Sequence, residues 1–179
     1  MKFDQVTAQP TITAGRFVMR APRRSDAGLL GLYMGDQRVA HSSRSIPHPL
    51  PPGATEAFIA RALSPERTED DWVLDGTASG MPEVLGVLSL TRMDRHQSEI
   101  RYWIAPAYWN SGLASEAVNA VIAARPQDVC TLFGSVFQDN PASARVLTNA
   151  GFAYLGDAET YCVGRGTTVR TWTYALKLA

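Results

Sequence analysis

The sequence predicts an α/β (α+β) domain built on one mixed, mostly antiparallel sheet with helices on both faces. Three observations carry this expectation. Residues 72–105 hold three β-rich segments separated by turn residues. At Leu113 the hydrophobic pattern turns from strand-like to helical, with Leu113, Ala117, Val121 and Ala124 on one stripe. A strand–helix–strand unit from Ser98 to Phe137 then requires one parallel pair, joined by a right-handed crossover.

The elements follow in order. Thr13 to Arg20 alternates weakly through Phe17 and Met19 and reads as a first strand, and Ser25-Asp26 caps a helix carrying Leu29, Leu30, Leu32 and Tyr33. His41 to Gly53 holds four prolines and two histidines and reads as a loop, followed by a short helix with Phe58, Ile59 and Leu63. Ser64 to Asp70 is a polar connection. Trp72-Val73-Leu74, Val84 to Met93 and Ser98 to Ala105 form an antiparallel meander, with turns at Gly76–Pro82 and Asp94–Gln97. Beyond the Leu113 helix come a strand, Thr131 to Phe137, and a helix, Pro141 to Ala150, closed by Gly151. The tail, Phe152 to Leu178, reads as two strands around Gly164-Arg165-Gly166, with Trp172, Tyr174 and Leu176 on one face.

Composition narrows the function. A chain of 179 residues suits one domain, 1–179, and 45% hydrophobic with 19% charged residues is a globular composition. Seventeen basic residues balance seventeen acidic ones, which lacks the basic footprint of a nucleic-acid binder. Met1 to Gln5 lacks the apolar core of a signal peptide, and no apolar run reaches membrane-spanning length, so a cytoplasmic protein without a membrane partner is expected. Cys130 and Cys162 lie far apart without a His or Cys at ligand spacing, so they read as buried or strand thiols and no metal is expected. The expected assembly is a monomer or a homodimer.

Two segments carry chemistry. In Tyr102-Trp103-Ile104-Ala105-Pro106-Ala107-Tyr108-Trp109-Asn110-Ser111-Gly112-Leu113-Ala114-Ser115-Glu116-Ala117 a strand ends in a turn of small residues that opens straight into a helix. Free N–H groups at such a helix start suit a phosphate or pyrophosphate, although on local grounds small residues at such a turn are more often plain packing. The turn is neither G-x-G-x-x-G nor a P-loop. In the second segment, Gln138 to Phe152, Asn140 at the N-cap, Pro141 at the first helical position and Gly151 past the end are ordinary helix punctuation. Ser143 shares the Leu147 and Ala150 stripe, so its hydroxyl is either a satisfied packing group or a site group.

Together the two segments resemble the GNAT N-acetyltransferases, and within them the RimJ/RimL-like ribosomal-protein-alanine acetyltransferase branch. The turn is similar to the superfamily motif Q/R-x-x-G-x-G/A, with Trp109 at the Gln/Arg position, Gly112 at the first Gly and Ala114 at the last small residue. Trp109 matches the branch pattern Tyr-Trp-Gly-x-Gly-Tyr-Ala-x-Glu-Ala, and Asn110 replaces that pattern's first Gly. Asn140, Ser143 and Gly151-Phe152 resemble the branch's N-x-x-S…G-F segment, and Met19-Arg20-Ala21-Pro22 its opening phrase.

The resemblance implies a sheet splayed between its central parallel strands, with acetyl-CoA as co-substrate. Pantetheine would lie against the backbone near Ile104. The pyrophosphate would rest on N–H groups of Asn110, Ser111, Gly112, Leu113, Ala114 and Ser115, and Asn140 would contact the arm. The implied reaction is acyl transfer to a primary amine, either a protein N-terminus or a small molecule. Glu99 is the expected base, through water, with a solvated carboxylate paired to Arg101 as its bland alternative. A main-chain N–H near Ile104 would meet the oxyanion. Leu147 stands where many relatives carry a tyrosine acid, so Ser143 takes the acid role. His41, Arg44 and His48 lie where the family builds its acceptor wall. The rival readings are a non-catalytic coenzyme-A-binding module and an interaction domain whose glycine turn is only packing.

Overall fold

The computed structural model describes residues 9–178. Among these residues one eight-stranded sheet runs in the order β1-β2-β3-β4-β5-β6-β8-β7, and only β5 and β6 pair in parallel. The strands are β1 (Ile12–Thr13), β2 (Val18–Arg20), β3 (Glu69–Asp75), β4 (Gly86–Met93), β5 (Gln97–Ile104), β6 (Thr131–Phe137), β7 (Ala153–Cys162) and β8 (Thr167–Lys177). The helices are α1 (Ala27–Met34), α2 (Gln37–Ser42), α3 (Ala54–Ala62), α4 (Leu113–Ala124) and α5 (Pro141–Asn149).

Strand periodicity sorts the core into two layers. On β3 and β4, Trp72, Leu74, Leu88 and Leu90 pack with Leu113, Val121 and Leu147 beneath α4 and α5. Val73 and Val87, on the opposite face, pack with Leu30, Val39 and Ile59 of α1, α2 and α3. Both faces are thus covered by helices, as expected.

The ladder between β5 and β6 holds only Gln97–Thr131, Ser98–Leu132 and Glu99–Phe133. Beyond Glu99 the two strands part, while β5 stays paired to β4 as far as Ile104 and β6 to β8 as far as Phe137. This is the expected splay, and it opens toward the turn before α4.

Four expectations are corrected. Thr13 to Arg20 is a hairpin rather than one strand: the Ala14 N–H donates to the Phe17 carbonyl at 3.0 Å, and Gly15 lies in the turn. Asp26 makes no capping bond to α1; its buried carboxylate accepts instead from the Arg23 N–H at 2.7 Å and from the Arg20 guanidinium at 2.8 and 2.9 Å. His41 belongs to α2, capped by the Asp36 side chain accepting from the Arg38 N–H at 2.9 Å, so the proline loop begins after Ser42. Cys130 is exposed just ahead of β6, while Cys162 ends β7 and is buried.

Candidate active site

The turn into α4 is held by two left-handed residues, Asn110 at φ 60° and Gly112 at φ 79°. Glycine adopts that conformation without strain, and asparagine tolerates it better than most side chains. Gly112 caps α4 through its carbonyl, which accepts from the Glu116 N–H at 3.1 Å, and no side chain caps the helix. The first-turn N–H groups of Leu113, Ala114 and Ser115 therefore have no intrahelical acceptor. They point to the positive end of the α4 dipole, the setting that suits an anion. Glu116 clamps the β1–β2 turn onto this corner, accepting from the Arg16 N–H at 2.9 Å and its Nε at 2.8 Å.

Residues 110–115 line a cleft of about 610 Å³ that runs to Ile104, Asn140 and Ser143. Arg145 and Arg165 line it too, and Arg38 lies over the Trp109 ring at 6.0 Å. The Trp109 indole N–H donates to the Ile104 carbonyl at 2.7 Å, which pins the turn to the end of β5. Arg165, from the β7–β8 turn, donates to the His41 carbonyl at 2.9 Å and pairs with Asp139 at 2.6 Å. That bridge holds the turn against α2 and against the start of α5.

A second cavity, of about 380 Å³, lies under the proline loop and α3 on the other side of β5. Ser42, Tyr102, Trp103, Asn140 and Ser143 line both spaces, so the two cavities meet there. The structure thus brings together Glu99, Asn140, Ser143, Ile104 and the 110–115 turn around the splay. Arg44 joins them, whereas neither His41 nor His48 lines the second cavity.

At the junction, the Asn140 amide donates to Ser143 Oγ at 3.1 Å and its carbonyl oxygen accepts from the Ser143 N–H at 3.4 Å. Ser143 Oγ, with one lone pair taken, keeps its own proton to donate. Tyr102 donates its phenol proton to the Ser143 carbonyl at 3.1 Å, and burial holds that phenol well above the usual tyrosine range.

Glu99 faces the second cavity with its side chain 17% exposed. Its bidentate partner is Arg44 from the loop, with the Oε2 bond at 3.3 Å; Arg101 is farther away, at 3.7 Å. The expected Glu99–Arg101 pair is thus secondary, because Arg101 bonds Glu69 at 2.7 Å.

Glu69, Asp71, Ser89 and Arg101 received no site role from the sequence. The register sets Asp71 opposite Ser89 and Ser89 opposite Arg101, on one sheet face. Ser89 Oγ donates to Asp71 at 2.5 Å. Burial, then the neighbouring Glu69 charge, pushes the Asp71 carboxyl up to about 8, against the pull of Ser89. Burial opposes ionisation of Glu69 as well, but Arg101, the Asp71 proton and the Thr91 and Ser89 hydroxyls outweigh it and hold Glu69 below the ordinary range. The available sequence signal was the strand period, which sets Glu69 and Asp71 on the same face as Val73.

Among the described residues no group of three or more His, Cys, Asp or Glu side chains is placed to hold a metal ion, and no helix is long and apolar enough to cross a membrane.

A family profile described as Acetyltransferase (GNAT) domain matches residues 16–153. A relative from Bacillus subtilis (strain 168), the uncharacterized N-acetyltransferase YoaA, is 31% identical over 98 residues, which cover 52% of this chain and 55% of that protein. The chain thus aligns with about half the length of that relative. Among solved structures, RimL, a ribosomal-protein α-N-acetyltransferase in complex with coenzyme A, superposes with a TM-score of 0.80 at 19% identity, over 94% of this chain and 98% of the other. The microcin self-immunity acetyltransferase MccE, in complex with acetyl-CoA and AMP, gives 0.80 at 15%, over 97% and 98%. Spermidine N-acetyltransferase from Vibrio cholerae, with CoA and spermine, gives 0.77 at 14%, over 91% and 96%. At these identities the likeness establishes the fold. Because the family profile spans most of the chain, the protein belongs to the GNAT acetyltransferase family.

Proposed function

We propose that the protein is an acetyl-CoA-dependent N-acetyltransferase that moves the acetyl group onto a primary amine by direct attack on the thioester. The observation that carries this reading is the meeting of two cavities at the splay. One is lined by free helix-start N–H groups and basic side chains, the other by ionisable groups. The donors of residues 110–115 suit a pyrophosphate, and the unpaired β5 edge past Glu99 suits an extended pantetheine arm near Ile104. Asn140, at the junction, is positioned for the same arm.

In the proposed step the amine nitrogen bonds to the carbonyl carbon, and the carbon–sulfur bond breaks. Glu99 accepts the ammonium proton through water, and Ser143 Oγ–H passes its proton to the departing sulfur and recovers one from the nitrogen, which loses its second proton as the amide forms. Arg44 orients the Glu99 carboxylate, and Asn140 orients the Ser143 hydroxyl. The chain resembles the RimJ/RimL-like branch, and solved neighbours act on ribosomal proteins and on spermidine. A protein N-terminus and a small amine are accordingly both candidate acceptors.

Thermal melting with acetyl-CoA, followed by thiol release across a panel of amines, tests the assignment. A hundredfold excess over Kd stabilises a folded protein by about 2.7 kcal/mol. No melting shift at millimolar acetyl-CoA overturns the reading in favour of an interaction domain. A shift without turnover on any amine leaves a binding module only.

A further inference from the structure

Past the Glu99–Phe133 rung no ladder bond joins β5 to β6, so the spacing of the two half-sheets at the mouth of the splay depends on other contacts. The turn between β7 and β8 supplies some of them. β8 begins at Thr167, but its last rung with β6 sets Thr171 opposite Phe137, so the β7–β8 hairpin runs on past the end of β6. Its tip meets the other half of the molecule. There α2 and the proline loop rest on β3 and β4, with Val39, Ala40 and Ile46 in one cluster with Val73 and Val87.

The meeting is made through main chain. The Val163 N–H donates to the Arg44 carbonyl at 3.0 Å, and Arg165 Nε donates to the His41 carbonyl at 2.9 Å. Between them, a Cβ added at Gly164 would fall 2.7 Å from the Ala40 carbonyl oxygen and 2.8 Å from that of Ile46. The φ of Gly164 lies outside the left-handed region, so this glycine answers to the close approach and not to a turn conformation.

The same tip also reaches the far side of the splay. Arg165 pairs with Asp139 at 2.6 and 3.1 Å, and its guanidinium lies 4.9 Å from the centre of the Phe137 ring. Asp139 precedes Asn140, whose amide donates to Ser143 Oγ, while Arg44 holds the Glu99 carboxylate. One hairpin tip thus fixes the main chain of the residue that aims the proposed base, and grips the neighbour of the residue that aims the proposed acid.

We infer that Gly164 and Arg165 are positioning residues for acetyl transfer: the tip spans the splay and sets Glu99 and Ser143 at their working separation. This role rests on the acetyl-transfer reading. Gly164 is not among the described residues that line either cavity, so its influence on the chemistry passes through the loop that carries Arg44, and from Arg44 to Glu99. Arg165 lines the coenzyme cleft as well, which makes Gly164 the cleaner probe.

Gly164→Ala adds one methyl group and no charge. Ordinary contact begins at 3.4 Å, so the tip and the loop must part by several tenths of an ångström. On an amine found by the screen, kcat should fall by about ten- to a hundredfold, with KM for acetyl-CoA within about twofold and the acetyl-CoA melting shift kept. A double-mutant cycle with Glu99→Gln separates positioning from general loosening. In the Glu99→Gln background Gly164→Ala should cost less than about twofold in kcat, because the group it misplaces is already gone. Arg165→Ala cuts the bonds to His41 and Asp139 without crowding, and decides by the same criteria should circular dichroism show Gly164→Ala unfolded. Wild-type kcat in the folded variant, a loss confined to KM for acetyl-CoA, an equal cost in both backgrounds, or full activity of Glu99→Gln each overturns the positioning role while acetyl transfer stands. If acetyl-CoA produces no melting shift in the wild type, the acetyl-transfer reading falls and takes the positioning role with it.

Discussion

Asp71 offers a quantitative test of the second cavity. Its carboxyl is 5% exposed, hydrogen-bonded to Ser89 at 2.5 Å and pushed up to about 8, first by burial and then by the Glu69 charge. In the unfolded chain the same group titrates near ~3.9. Between those values the native state holds a proton that the unfolded state has released, so stability falls as pH rises through this window. Above about 8 the loss is complete. Taken alone the displacement is worth on the order of 5 kcal/mol, and relaxation around a cavity wall reduces it to about 2–5 kcal/mol. Asp71→Asn keeps the shape and supplies N–H donors toward Glu69 but cannot ionise. The variant should match the wild type near pH 5 and exceed it in unfolding free energy by about 2–5 kcal/mol at pH 9. For a domain of this size each kcal/mol moves Tm by about 2–4 °C, so melting and urea titrations at the two pH values both resolve the difference. Parallel stability curves for the two proteins from pH 5 to pH 9 would refute the buried, proton-holding carboxyl.

Two further perturbations address the junction and the turn. Glu99→Gln keeps the shape and removes the basicity; steady-state assays on an amine found by the screen should show kcat lower by about 10²–10⁴-fold, with coenzyme affinity held and the deficit shrinking at high pH. Ser143→Ala should cost less, and wild-type turnover by Glu99→Gln across pH 6–9 would leave Glu99 as a structural partner of Arg44. Gly112→Glu places a side chain at φ 79° beside Arg16, whose guanidinium nitrogen lies 3.5 Å from the added Cβ. It should melt lower by about 1–2 kcal/mol of backbone strain and lose the acetyl-CoA melting shift, whereas Gly112→Ala should show the strain and keep part of the shift.

What the sequence disclosed and what it concealed divide along local and non-local physics. The turn before α4 was legible because small residues, a left-handed glycine and a helix start are all written within a few positions of Gly112. The α5 boundaries were legible for the same reason, from Asn140-Pro141 to Gly151. α2 was not, because six residues carry too little periodicity; burial of Val39 and Ala40 against α1 and β5 makes that helix. The β1–β2 hairpin was missed because so short a turn, at Gly15, interrupts the alternation by only a few residues. The second cavity was least legible. Arg44 meets Glu99 across 55 positions, and Arg101 meets Glu69 across 32. The path of the proline loop decides the first meeting and strand register the second, rather than spacing along the chain.

Leu147 shows how one such packing choice shapes the chemistry. By the family resemblance it stands where many relatives carry a tyrosine acid, yet it is 1% exposed and belongs to the core beneath α5. A Cβ added at Gly134 on β6 would fall 2.8 Å from Leu147 Cδ1 and 3.5 Å from Ile100 Cγ2 on β5. Gly134 and Ile100 are the first residues beyond the last paired rung of the parallel ladder, Glu99–Phe133. Leu147 is therefore seated where the strands part, and the missing side chain of Gly134 makes room for it. A branched aliphatic wedge helps to hold the splay open but has no proton to give. Any hydroxyl contribution must come from elsewhere at the junction. One helical turn earlier Ser143 offers one, oriented by Asn140. Tyr102 is committed to the Ser143 carbonyl and held un-ionised by burial. The division of labour proposed for α5 follows: Leu147 shapes the gap, and Ser143 serves the sulfur that leaves through it.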